Sequence, residues 1–63
     1  MKKKEIRNLA EKIVKYEKII QTSNDKEEIS KAEKEIMKVS SSVKSLEDMM
    51  AIDEMVLDML EKN

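Results

Sequence analysis

The stretch Val39-Ser40-Ser41-Ser42-Val43-Lys44-Ser45-Leu46-Glu47-Asp48 decides the fold. Two readings compete over it. In the first, Val39, Val43 and Leu46 belong to a longer series: Ile29, Ala32, Ile36, Val39, Val43, Leu46, Met50, Asp53, Leu57 and Leu60 alternate at steps of three and four without a slip. A heptad sustained over that length predicts one helix over about 25–62 that supplies a coiled-coil seam. In the second, the chain breaks at 40–45. Each serine costs a helix about 0.5 kcal/mol against alanine. Ser45-Leu46-Glu47-Asp48 also resembles a capping box, with Asp48 in the place of the usual Glu or Gln. A break there gives three helices of similar length and a three-helix bundle. The unbroken register across the serines favours the long helix, because a loop has no need of it.

Upstream, Ile6, Leu9, Ile13, Tyr16 and Ile20 recur at helical spacing, which stacks them on one face and predicts a helix over about 3–21. Ala10 and Val14 widen that stripe. Lys2, Lys3 and Lys4 oppose the helix dipole, so the first turn is expected to fray. Thr22-Ser23-Asn24-Asp25 is the clear break. Its small polar side chains compete for backbone hydrogen bonds, and Asn24 is suited to cap the helix that follows. A loop this short, at 22–25, joins antiparallel neighbours. The expected fold is therefore all-α: a single helical domain over 1–63, built as a helical hairpin with a long second helix. It would dimerise as a four-helix bundle or antiparallel coiled coil, with the three-helix bundle as the alternative.

Size supports dimerisation. A chain of 63 residues buries only about 60% of its unfolded surface, and ordering each residue costs roughly 1.5 kcal/mol. With Cys 0 and His 0, neither a disulfide nor a zinc site of the usual kind is on hand to help. A second copy or a larger protein partner is the remaining route, and a homodimer is expected.

Downstream of the serines, the segment Leu46–Leu60 is more apolar than a seam requires. At about 100° per residue its apolar arc spans roughly 220°, against the narrower stripe of an ordinary surface helix. Met49, Met50, Met55 and Met59 lie in it, and methionine adapts to the shape of a partner. The expected interface residues are Leu46, Met49, Met50, Ile52, Asp53, Val56, Leu57, Met59 and Leu60. Asp53 is the anomaly, a carboxylate at a seam position. It is read either as a register residue or as a site that reaches water or a lysine.

Charge is uneven along the chain. Residues 1–21 hold seven Lys/Arg against three Glu, a net of +4. Residues 22–44 balance, and residues 45–63 hold six acids against one Lys, a net of -5. The basic first helix supports an alternative reading as a nucleic-acid-binding adaptor through Lys4, Arg7, Lys12 and Lys15. Against it stand the overall acidity and an aromatic inventory limited to Tyr16, since stacking platforms need more. Catalysis would have to use carboxylates alone. Asp25/Glu28 and Asp58/Glu61 have a spacing that can hold magnesium, but in so acidic a chain it arises by chance. No catalytic residue, metal or cofactor is expected.

The expected function is a small non-catalytic protein–protein interaction module, a regulator or inhibitor that masks a surface of a larger protein with its Met-rich helical face. No membrane span is expected, because the longest apolar run is Met49–Ile52. Lys2–Lys4 are followed by Glu5 and Arg7 rather than an apolar stretch, so a cytoplasmic location is expected.

Overall fold

The computed structural model describes residues 2–62. They form three helices: α1 over Lys3–Thr22, α2 over Lys26–Ser42 and α3 over Leu46–Lys62. Among the described residues there is no strand, and no helix is long and apolar enough to cross a membrane.

The first turn of the chain follows from local polar chemistry. Thr22 Oγ1 donates to the Lys18 carbonyl at 2.7 Å, and the Ser23 N–H donates to the Ile19 carbonyl at 2.8 Å. These bonds satisfy carbonyls that the end of a helix leaves open. Asp25, not Asn24, caps α2: its Oδ1 accepts the Glu27 N–H at 2.9 Å, while the Asp25 N–H donates to Ser23 Oγ at 3.1 Å. Glu27 and Glu28 then fall in the first turn of α2, where negative charge is stabilising.

The long second helix is absent. α2 ends at Ser42, and 43–45 are not helical. Ser42 Oγ donates to the Val39 carbonyl at 2.7 Å, and the Val43 N–H reaches back to the Ser40 carbonyl at 3.3 Å. Val43 itself is extended, with φ -94 and ψ 119. Ser45 opens α3: its carbonyl accepts the Met49 N–H at 3.0 Å and its Oγ accepts the Asp48 N–H at 3.5 Å. The serine run thus terminates one helix and starts the next, and the side chain-to-backbone bonds are the competing partners that make Ser poor inside a helix.

The register that favoured continuity has a different cause. Val43 is apolar because it is buried in the core from its place in the turn. Beyond it the inward positions shift: Met49, Ile52, Val56 and Met59 face the core, each one residue before the expected seam residues Met50, Asp53, Leu57 and Leu60. One residue is about 100° of helix rotation, so Met50, Asp53 and Leu57 of the predicted seam are turned to the outside, while Leu60 stays at the edge of the core.

α1 is the shared spine. It packs against α2 and against α3, while α2 and α3 touch each other far less. This explains its wide apolar stripe, since one helix must supply two faces. Ala10, Ile13 and Val14 are its buried residues, and they join Val43, Ile52 and Val56 in one cluster. Ile6, Leu9, Val39, Met49, Met55, Met59 and Leu60 pack around it. Ala32 of α2 is buried apart from that cluster.

The result is thin and open, with Cα extents of 34 × 26 × 15 Å. The radius of gyration is 11.8 Å, against about 10.6 Å for a compact chain of this length. The accessible surface is 5094 Å², whereas the scaling for folded monomers gives about 4,200 Å² at this mass.

Candidate interaction surface

α3 carries two apolar faces. The inner one is used within the chain: Ile52 is 1% exposed and Val56 is buried, with Met49, Met59 and Leu60 half-buried beside them. The outer one is Leu46, Met50 and Leu57, which are 76%, 57% and 61% exposed. Their spacing puts all three on one stripe. Asp53 shares that stripe and is exposed. The charge that a closed seam would have had to desolvate therefore meets solvent in this chain.

The nine residues expected at an interface thus divide. Ile52, Val56, Met49, Met59 and Leu60 are brought together as core or core edge, and Leu46, Met50, Asp53 and Leu57 as an outer row. The breadth of the apolar arc was the signal for both. A single partner helix cannot cover roughly 220° of another, so two faces are implied.

Acids border the outer row. Glu47, Glu54 and Glu61 repeat every seven residues, which lines them along α3 about 60° further round from the apolar stripe. All three are exposed. Asp58 lies next to that line and pairs with Lys62 at 3.1 Å. On the opposite side the stripe meets Met49 and Leu60, the edge of the core.

A second feature lies where α1 meets α3. Lys3, Lys4 and Arg7 border a shallow groove with Met55, and Arg7 also borders one with Met55, Asp58, Met59 and Lys62. The opposite charges of the two chain ends are therefore adjacent within one molecule. Such exposed charges are screened and contribute little to stability. The place of Lys3 against α3 was not foreseen from sequence, where Lys3 read as part of a fraying, basic first turn. Met37 on α2, 67% exposed, was missed as well; its signal was a methionine off the helical stripe among polar neighbours.

The alternative nucleic-acid residues, Lys4, Arg7, Lys12 and Lys15, are all exposed on α1. Glu11 interrupts them and pairs with Arg7 at 3.5 Å. Lys15 Nζ lies 5.9 Å from the centre of the Tyr16 ring, and that ring is half-buried. Among the described residues no group of acids converges on a position for a metal ion. No family model, curated protein or solved structure matches this chain.

Proposed function

We propose that the protein is a small non-catalytic interaction module that masks a surface of a larger protein with the outer face of α3. The observation that carries this reading is the row of Leu46, Met50 and Leu57, three large apolar side chains left exposed on one stripe of a helix whose other face already builds the core. Scattered exposed apolar residues need no explanation, whereas an aligned row bounded by charges is the usual form of a docking surface. The surface excess of about 900 Å² over a compact monomer is of the order that one partner contributes to a standard interface. Pairing with a second copy, expected from the small core, would draw on this same face.

The test is site-specific cross-linking in a lysate of the source organism. A photoreactive residue at Met50 is compared with one at Lys34, an exposed site on α2. A discrete protein adduct at Met50 alone, abolished by Leu57→Glu, is the expected result. Equal labelling at Lys34, or an adduct unaffected by Leu57→Glu, overturns the reading. Capture of RNA or DNA that disappears steeply with salt favours the basic first helix instead.

A further inference from the structure

We propose that the occupant of this outer face is a cationic amphipathic helix of another protein, not a second copy of this chain; the proposal rests on reading the Leu46–Leu57 row as the interface. The charge around the row carries the argument. A helix laid along Leu46, Met50 and Leu57 meets Asp53 within the row and the Glu47–Glu54–Glu61 line along its outer edge. A partner with apolar anchors at i, i+4 and i+11 and Lys or Arg beside them satisfies both sets of groups. Complementary rim charges fix orientation and raise the association rate, and the methionines adapt to the anchors.

A second copy does neither. The row is symmetric about its midpoint, because Leu46 and Leu57 are equidistant from it and so are Met50 and Asp53. An antiparallel dimer would therefore place Leu46 opposite Leu57 of the second copy and Met50 opposite Asp53 of the second copy. It would also lay the two glutamate lines along a common edge. A parallel dimer would put Asp53 against Asp53 of the second copy. Each copy brings six acids and one Lys in residues 45–63, so α3 has no lysine row of its own to compensate, and the cations beside it, Lys3, Lys4 and Arg7, already border Glu54, Asp58 and Met55 of the same chain. The basic outer face of α1 offers the needed charge but no anchor: the strongly exposed large apolar residues among the described ones are Met37, Leu46, Met50 and Leu57, none of them on α1.

The experiment uses the full chain and a synthetic helical peptide of about 18 residues, long enough to lie along the whole of α3. The peptide has leucines on one face and lysines elsewhere. Its counterpart carries Glu in place of every Lys. Titration calorimetry should show one lysine peptide bound per chain, with a gain of helical circular dichroism, and at least tenfold weaker binding of the glutamate peptide. Leu57→Glu should weaken the lysine peptide at least tenfold. The triple variant Glu47→Gln, Glu54→Gln, Glu61→Gln, whose substitutions lie on exposed positions, should weaken it several-fold and flatten its salt dependence. Equal binding of both peptides, or lysine-peptide binding that ignores Leu57→Glu, overturns the proposal. So does a wild-type dimer at low micromolar concentration in sedimentation that Leu57→Glu makes monomeric; in that case the face is an interface and the second copy is its occupant. If no association of any kind depends on Leu57, the underlying reading of the face fails with it.

Discussion

Ile52 and Leu57 lie on the same helix, yet truncating them should have unlike consequences. Ile52 is 1% exposed. Ile52→Ala removes three buried carbons at about 0.8 kcal/mol each, and the cavity left behind raises the loss to about 3 kcal/mol. A domain of this length has a total stability of roughly 3–9 kcal/mol, so the variant should fall close to its folding threshold. The melting temperature should drop by about 12–24 °C. Leu57 is 61% exposed, and the same arithmetic on its buried fraction gives at most about 1 kcal/mol. Alanine's better helix propensity offsets part of that. The comparison is made by urea denaturation followed by circular dichroism at two protein concentrations, which separates loss within the chain from loss of association. The seam expected from sequence makes the opposite forecast, with Leu57 the more damaging position. A loss in Leu57→Ala equal to that in Ile52→Ala at the lower concentration would refute the inward assignment of Ile52 and Val56.

Three further outcomes are expected from the same measurement. Ser45→Ala should lower stability by about 0.5–1 kcal/mol by removing the cap of α3, with the 3.5 Å contact to the Asp48 N–H placing it at the low end; a gain would indicate a continuous helix. Asp25→Ala should cost about 1 kcal/mol through the shorter bond to the Glu27 N–H, with no change beyond about 0.3 kcal/mol counting against that cap. Asp53→Leu should leave monomer stability within about 0.5 kcal/mol, since the side chain is exposed, while light scattering detects added self-association as the apolar row loses its charge. A monomer stabilised by several kcal/mol would show instead that the carboxylate is desolvated in the chain.

The sequence alone determined that the chain is helical, where its first turn falls and how unusual its last segment is. These follow from interactions within a few residues: the stacking of Ile6, Leu9, Ile13 and Tyr16, the polar run Thr22–Asp25, and the apolar breadth of Leu46–Leu60. The capping pattern at Ser45 was also readable, but it competed with a heptad that ran through it. Only the tertiary structure decided between them. Val43 supports either reading because burial is what selects its side chain, and a residue buried in a turn looks the same in sequence as one buried on a seam. Once the chain turns there, α3 docks on α1 through Ile52 and Val56, and a shift of one residue rotates Leu46, Met50, Asp53 and Leu57 outward. Which part of a wide apolar arc faces the core depends on the shape of α1, contributed by Ala10, Ile13 and Val14 more than thirty positions away. No local spacing encodes that choice, and it is the choice that leaves Leu46, Met50 and Leu57 of α3 exposed.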